Sequence, residues 1–168
     1  LDLSLGRDVA LKFLPDPQAS DPERLAMFER EARTLAALNH PNIVTIYAVE
    51  QAQGRRFLAM EFVDGEPLSA LIPEAGFPTD RLVALAVPLV DAIAAAHQRG
   101  VTHRDVKPAN VVIARDGHLK VLDFGVAILA PERDAQKRTL LQTWGATIQQ
   151  GAAGTLAYMS PEQVGGGP

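Results

Sequence analysis

Residues 103–125 read HRDVKPANVVIARDGHLKVLDFG, and this stretch decides how the whole chain is interpreted. Two short apolar runs flank the dipeptide Asp116-Gly117, which is a strong signal for a two-residue turn between paired strands. Pairing that is symmetric about this turn places Asn110 opposite Asp123. The stretch therefore predicts a hairpin that brings an amide oxygen and a carboxylate side by side at its open end.

The residue types in this stretch favour chemistry on phosphate. Mg²⁺ is a hard cation that prefers oxygen ligands and commonly keeps waters and phosphate oxygens in its coordination shell. Asn110 and Asp123 supply two such oxygens, and the carboxylate of Asp105 lies a few residues earlier in the chain. A lysine near the same site would neutralise phosphate charge. The residues alone therefore predict metal-assisted phosphoryl chemistry.

A lysine and a glutamate earlier in the chain are candidates for the same site. Residues 9–14 form an apolar run interrupted by Lys12, which predicts a buried strand. A helix is predicted from Ser20 to about Asn39, and Glu31 falls inside its apolar stripe. An inward carboxylate needs a partner because an unpaired buried charge is costly, and Lys12 is the obvious one. The alternatives are a lysine whose ammonium reaches solvent and a glutamate at the edge of the stripe.

The rest of the chain predicts further strands and one more helix. Strands are expected at residues 43–49 and 57–63, and residues 64–67, which read DGEP, are expected to break the sheet. Thr79 is predicted to cap a second helix that Gly100 ends. Four apolar residues of this helix share one face and are expected to be buried: Leu82, Leu85, Leu89 and Ile93.

Composition narrows the class of protein. The chain has 168 residues, of which 47% are hydrophobic and 21% charged, as in an ordinary globular domain. Its formal charge of −4 gives no basic field for nucleic acid, so no nucleic-acid partner is expected. The absence of cysteine excludes disulfides and thiolate metal sites and favours a cytoplasmic location. No apolar stretch reaches the roughly 20 residues that a membrane span needs, although a longer protein could be anchored through parts outside this chain.

Four segments together resemble the signature set of the protein kinases, in the same order and at similar spacing. They are Val9-Ala10-Leu11-Lys12, His103 to Asn110, Asp123-Phe124-Gly125 and Ser160-Pro161-Glu162. The bacterial eukaryotic-like (Hanks-type) serine/threonine kinases, which act in signalling, are similar at residues 28–32, 39–44 and 158–163 as well. The resemblance covers nearly the whole chain and implies an α+β, two-lobed protein-kinase-like fold. Residues 1–63 would form the small lobe and hinge, and 64–168 the first half of the large lobe.

The resemblance also implies a role for each matched residue. Lys12 would hold the α- and β-phosphates of ATP and pair with Glu31, while Asp105 would accept or orient the proton of the substrate hydroxyl. Lys107 would stabilise charge on the transferred phosphoryl group. Mg²⁺ would be held by Asn110 and Asp123. The adenine site would be formed by Ala10, Met60, Val112 and the backbone of Glu61 and Val63. Leu35, Ile46, His103 and Phe124 would stack as a hydrophobic column between the lobes.

Control of the activity is expected to lie in the stretch that follows Asp123. Arg104 would bind a phosphothreonine there, because a guanidinium binds phosphate oxygens bidentately. Thr147 is the first candidate for that phosphate and Thr143 the second, whereas Thr155 would hydrogen-bond the catalytic aspartate. The implied cofactors are ATP and Mg²⁺. The implied partners are proteins with serine or threonine acceptors and, in the full-length protein, a second copy for autophosphorylation.

The chain departs from the family pattern at both ends. Nothing in residues 1–8 supplies the glycine-rich loop that the family places over ATP, because Gly6 alone is not a match. The large-lobe helices that the family has beyond Glu162 are absent as well. We therefore expect an incomplete fold that is inactive on its own. Two other readings remain open: a non-catalytic pseudokinase or truncated scaffold, and a metal-dependent phosphohydrolase that uses the same aspartates.

Overall fold

The structure, a computed structural model, describes residues 2–3, 5–14, 22–124 and 157–161. A first antiparallel sheet has the strand order β1-β3-β2, and one helix packs beside it. Its elements are β1 (Val9–Phe13), α1 (Pro22–Ala36), β2 (Ile46–Ala52) and β3 (Arg55–Glu61). The predicted helix and strands are therefore present, with ends displaced by a few residues.

One face of the first sheet is buried against α1. Ala10 pairs with Met60 and Lys12 with Leu58, so these four side chains share a face because directly opposed residues of antiparallel strands point the same way. Phe28, Ala32 and Leu35 of α1 are all buried. Gln53 and Gly54 join β2 to β3 and both have positive φ, 51° and 75°, as a tight turn of this length requires.

A second sheet contains the hairpin predicted at residues 103–125. Its strands are β4 (Gly65–Pro67), β5 (Val111–Ala114) and β6 (Leu119–Val121), in the order β4-β5-β6 and all antiparallel. The first sheet ends before residues 64–67, as expected, and residues 65–67 instead join the second sheet, where β4 pairs with β5 through Gly65↔Ala114. A Cβ on Gly65 would lie 2.2 Å from the carbonyl oxygen of Ile113, so this close pairing depends on glycine.

The register of the β5–β6 hairpin differs by one residue from the prediction. Val111 pairs with Val121, and the amide of Leu122 donates to the carbonyl oxygen of Asn110 over 2.8 Å. Asn110 thus lies opposite Leu122 and not opposite Asp123. The physical reason is the turn, which has three residues and ends on Gly117 with φ of 88°, because this left-handed glycine adds one residue to the loop.

The long helix, here α3 (Thr79–Gln98), follows a short helix, α2 (Leu68–Leu71). Gly100, with φ of 74°, ends α3 as predicted. Its amide donates to the carbonyl of His97, and the amide of Val101 to that of Ala96. Thr79 is the first helical residue rather than the cap, which is Pro78.

Burial along α3 begins later than the sequence predicts. Leu85 is buried, and Leu89 and Ile93 pack against the core. Leu82 is 54% exposed, so its predicted burial is wrong. Residues 79–84 are all exposed, which shows that the first turns of the helix project beyond the part of the core that covers Leu85.

The two sheets are joined by main-chain hydrogen bonds between residues 42–44 and β6. The amide of Val44 donates to the carbonyl oxygen of Val121 over 3.0 Å, and the amide of Val121 donates to that of Asn42 over 2.8 Å. The side-chain amide of Asn42 also donates to the carbonyl of Leu119. Within the described ranges, no helix is both long and apolar enough to cross a bilayer.

Candidate active site

His103 anchors the loop that carries Asp105. The imidazole is 1% exposed and lies 4.7 Å from the ring of Phe124, centroid to centroid. Its Nε2 donates to the carbonyl oxygen of Leu122 over 2.8 Å, while Nδ1 accepts from the amide of Asp105 over 3.3 Å. Burial lowers the pKa of His103 below its ordinary value, although the bond to Leu122 partly opposes this. His103 is therefore a neutral packing residue that fixes the start of the loop.

The carboxylate of Asp105 is held by two donors. Lys107 Nζ lies 2.7 Å from Asp105 Oδ2, and Asn110 Nδ2 lies 2.9 Å from the same oxygen. Asn110 Nδ2 also donates to the backbone carbonyl of Asp105 over 2.8 Å. Because the nitrogen of this buried amide faces Asp105, its Oδ1 is the atom left to serve as a cation ligand. These contacts fix the orientation of the Asp105 carboxylate.

Lys12 and Asp123 meet where the two sheets face each other. Lys12 Nζ lies 2.9 Å from Asp123 Oδ1. This lysine therefore forms an ion pair with the aspartate that was predicted to bind metal. The side chain of Glu31, the predicted partner, lies outside the described residues. Asp123 has φ of 53° and Arg104 has φ of 65°. Such backbone is uncommon for residues other than glycine and recurs at functional sites.

The residues predicted for the adenine site lie on both sheets and on the connector that follows β3. Met60 is buried and paired with Ala10, while Val112 is buried on β5 of the other sheet. Val63 packs against the core from the connector that leads out of β3. All four residues expected to stack between the lobes are buried: Leu35, Ile46, His103 and Phe124. A small cavity at this junction is lined by Lys12, Leu35, Val44, Ile46, Leu58, Met60, Asp123 and Phe124.

The predicted metal ligands are hard oxygen donors. Asn110 and Asp123 offer an amide oxygen and a carboxylate, and no group of three metal-binding side chains occurs in the part of the chain that the structure describes. Mg²⁺ is commonly bound by one or two carboxylates together with phosphate oxygens and water, and seldom by an all-protein cage. This sparse oxygen donor set therefore fits Mg²⁺ that arrives with a phosphate ligand.

The residues predicted to control the activity are only partly covered by the structure. Arg104 is exposed beside Asp105. Thr143, Thr147 and Thr155 lie outside the described residues.

Sequence reasoning missed an ion pair between the sheets. Lys120 Nζ lies 2.9 Å from Glu61 Oε1 and 3.0 Å from Oε2. A signal for it was present, because Lys120 is the single charged residue in the apolar run 119–122. The same argument had selected Lys12 on its strand.

The amino-acid sequence is similar to that of known proteins along nearly its whole length. The sequence profile described as protein kinase domain matches residues 2–168. The chain is 36% identical to the serine/threonine-protein kinase PknB of Mycobacterium leprae, with 98% of this chain and 26% of that protein covered. It is 38% identical to the serine/threonine-protein kinase PrkC of Bacillus subtilis, with 99% and 24% covered. The chain thus spans about a quarter of the length of these curated relatives.

A solved structure agrees with the sequence matches. The crystal structure of the Mycobacterium tuberculosis PknI kinase domain aligns with a TM-score of 0.64 at 36% identity. The alignment covers 71% of this chain and 50% of that one.

Proposed function

Because the chain belongs to the protein kinase domain family, we propose that its protein transfers the γ-phosphoryl group of ATP to serine or threonine hydroxyls of other proteins. Membership in this family also confirms the protein-kinase-like fold that the sequence predicted. One observation carries the proposal, namely that Lys12 on the first sheet contacts Asp123, two residues after β6 of the second sheet, while Asp105 is held by two donors. A cation, a carboxylate and a positioned base are the groups that phosphoryl transfer requires.

In this proposal Asp105 positions the substrate hydroxyl and accepts its proton. Lys107 and Asn110 both contact Asp105 Oδ2, so the carboxylate has one fixed orientation, and its other oxygen serves as the acceptor. Lys107, whose Nζ lies 2.7 Å from Asp105, is proposed to stabilise charge on the transferred phosphoryl group. A positioned general base contributes about 10²-fold to 10⁴-fold to such a reaction.

Lys12 and Asp123 are proposed to bind the phosphate end of ATP. The 2.9 Å contact between them keeps each charge paired in the ligand-free state, since an isolated charge at this junction would be costly. On binding, Lys12 would turn its ammonium to the α- and β-phosphates, and Asp123 together with Asn110 would hold Mg²⁺. When bound, Mg²⁺ supplies positive charge that neutralises the phosphate oxygens. Glu31 is proposed as a second partner of Lys12.

The adenine ring is proposed to lie between the two sheets. Ala10 and Val112 would contact its two faces, and Met60 would close the back of the pocket. The backbone of Glu61 and Val63 would hydrogen-bond the ring edge. Support comes from the buried or half-buried positions of these side chains at the junction.

Regulation is proposed to act through Arg104. A phosphate on Thr147 or, failing that, on Thr143 would pair with its guanidinium and align Asp105, while Thr155 would hydrogen-bond that aspartate. Addition of the phosphate by a second copy of the protein would account for activation. Mass spectrometry of the full-length gene product after incubation with MgATP identifies the modified threonine.

The proposed activity is tested by transfer of labelled phosphate from ATP to protein substrates. The full-length gene product should label serine and threonine, and Asp105→Asn should lower the rate by about 10²-fold or more. The matched control is Asp116→Asn, which changes an exposed carboxylate in the β5–β6 turn and should leave the rate unchanged. Equal rates for Asp105→Asn and the unmodified protein would contradict the proposal.

A further inference from the structure

Glu61 is the last residue of β3, and its carboxylate makes three contacts with two donors from different parts of the molecule. Lys120 Nζ lies 2.9 Å from Oε1 and 3.0 Å from Oε2. The amide of Thr45 donates to Oε2 over 3.1 Å. In return the amide of Glu61 donates to the carbonyl oxygen of Thr45 over 2.8 Å. Glu61 is thus tied to the segment before β2 and to the middle of β6.

The Glu61–Lys120 pair links the first sheet to the second where the chain crosses between them. Glu61 lies at the end of β3, the central strand of the first sheet, and is paired with Val9. It is next to the proposed adenine residues of β1 and β3. Lys120 is paired with Val112 on the second sheet and therefore shares a face with it. The two charges accordingly stand on β3 and β6, each of which is paired with a strand, β1 or β5, that would contact one face of the adenine ring.

A comparison with a neighbouring ion pair shows that this contact is sheltered from water. The side chains of Glu61 and Lys120 are 24% and 18% exposed. Arg115 and Asp64 form a second link between the connector and the β5–β6 hairpin, at 3.0 Å, but these side chains are 81% and 61% exposed. An exposed pair is screened and contributes little, whereas a sheltered pair with an additional backbone donor constrains both partners.

We infer that Glu61 and Lys120 form a positioning pair that sets the separation of the two adenine-contacting strands and thereby the affinity for ATP. The inference rests on the proposed function. Neither charge contacts the phosphates or the substrate hydroxyl in that proposal, so the pair acts by holding the connector at residues 62–64 in the conformation that accepts the ring. Loss of the pair would leave this ordering to be completed on binding, which weakens binding without changing the chemical step.

The variants are chosen to remove charge and to retain shape. Lys120→Met keeps the apolar stem and removes the ammonium. Glu61→Gln keeps an oxygen for the amide of Thr45 and removes the negative charge. Each should raise KM for ATP by about threefold to fivefold, as expected for one partly sheltered ion pair. Lys120→Met, at a residue that contacts no ligand in the proposal, should keep kcat within about twofold of the unmodified protein. The double variant should show no more than the larger single effect, because both changes break the same contact.

The experiment measures kcat and KM for ATP in the full-length gene product, with Arg115→Met as the matched control. Arg115→Met breaks the exposed pair beside the same connector and should change neither quantity. Amide hydrogen exchange of the ligand-free protein should accelerate over residues 61–64 in Lys120→Met and not in Arg115→Met. This second readout does not depend on catalysis.

The possible outcomes distinguish a failure of this inference from a failure of the proposed function. An unchanged KM in Lys120→Met, or an equal rise in Arg115→Met, would overturn the positioning role. A higher kcat at constant KM would also overturn it, since the pair would then restrain a motion needed for turnover. If the unmodified protein transfers no phosphate but the exchange result holds, the proposed function fails. The Glu61–Lys120 pair would then still order the connector at residues 62–64.

Discussion

The loop and hairpin at residues 103–124 differ from the long helix α3 in how far their side chains are buried or hydrogen-bonded. In the hairpin region the apolar residues Val111 and Val121 are 1% and 0% exposed, and the polar side chains of the loop bond to one another and to backbone. Along α3, Val87 and Val90 are 64% and 65% exposed. The geometry of the site is thus fixed by the described residues themselves, whereas nothing among them covers the outer face of the helix.

The largest expected effect falls on the hairpin side of this comparison. Asp123→Asn should lower phosphoryl transfer by about 10²-fold or more, because it removes a charge from the proposed metal site and from the contact with Lys12. Lys12→Met should be similarly severe, since it removes phosphate positioning. Both are measured as kcat/KM in the full-length gene product, with thermal unfolding to show that the fold is kept.

A matched change on the helix sharpens the first prediction. Asp91→Asn alters an exposed carboxylate of α3 that contacts His40 Nε2 at 3.2 Å. It should leave kcat/KM within twofold of the unmodified value. Comparable losses for Asp91→Asn and Asp123→Asn would show that the helix carries part of the chemistry, and the comparison between the two regions would then fail.

A second prediction concerns the strand that supports the hairpin. Gly65→Ala should lower the free energy of unfolding by about 1–3 kcal/mol, because the added methyl group overlaps the carbonyl oxygen of Ile113 and forces β4 away from β5. The effect is measured by denaturant unfolding. The control is Gly76→Ala, where nothing lies within 4 Å of the added carbon but φ is 77°, so backbone strain alone is measured. A smaller loss for Gly65→Ala than for Gly76→Ala would contradict the overlap.

The hairpin also shows how far the sequence could predict the site. Motif order predicted a catalytic role for the loop at residues 103–110, and apolar periodicity located β1, α1 and α3. The pairing of Asn110 with Asp123 was wrong by one residue because the loop conformation of Gly117 is not visible in an Asp-Gly dipeptide. The contact between Lys12 and Asp123 was missed because it joins residues more than a hundred positions apart, and no local pattern specifies such a pair.

The burial of apolar side chains on α3 was predicted correctly only where another element packs against the helix. Leu82 and Leu85 lie on the same predicted face of α3, yet only Leu85 is buried. The periodicity of a helix gives the direction in which a side chain points, but it does not give the extent of the elements packed against that side. The exposure of the first turns of α3 therefore could not be predicted from the sequence pattern.

A third, smaller effect is expected from the pH dependence of the hairpin region. Burial lowers the pKa of His103, so between its folded pKa and the unfolded value near 6.5 the unfolded chain binds more protons than the folded one. Stability contributed by the neutral ring is therefore fully present above about pH 6.5 and declines as the pH falls below it, by at most about 1.4 kcal/mol per pH unit.

The measurement compares the unmodified protein with His103→Gln from pH 7.5 to 5.5. Glutamine cannot titrate in this range, and its amide can still donate to the carbonyl of Leu122. The stability of His103→Gln should fall less on acidification, while His40, His97 and His118 contribute equally to both proteins. Parallel stability curves for the two proteins would show that His103 is not the group responsible.

The smallest effect is expected on the helix when the same substitution is made in both regions. Valine and threonine have nearly the same shape, so Val→Thr adds a hydroxyl and leaves packing volume almost unchanged. At Val121, which is fully buried in β6, this hydroxyl loses its bonds to water and should cost about 1–3 kcal/mol. At Val87, on the exposed face of α3, it remains hydrated and should change stability by no more than about 0.5 kcal/mol.

Because an exposed apolar patch promotes association, Val87→Thr combined with Val90→Thr should also reduce self-association of the 168-residue chain, measured by sedimentation at several concentrations. A large loss of stability at Val87 would mean that this face is covered in the folded protein, and the contrast between helix and hairpin would then not describe the molecule in solution.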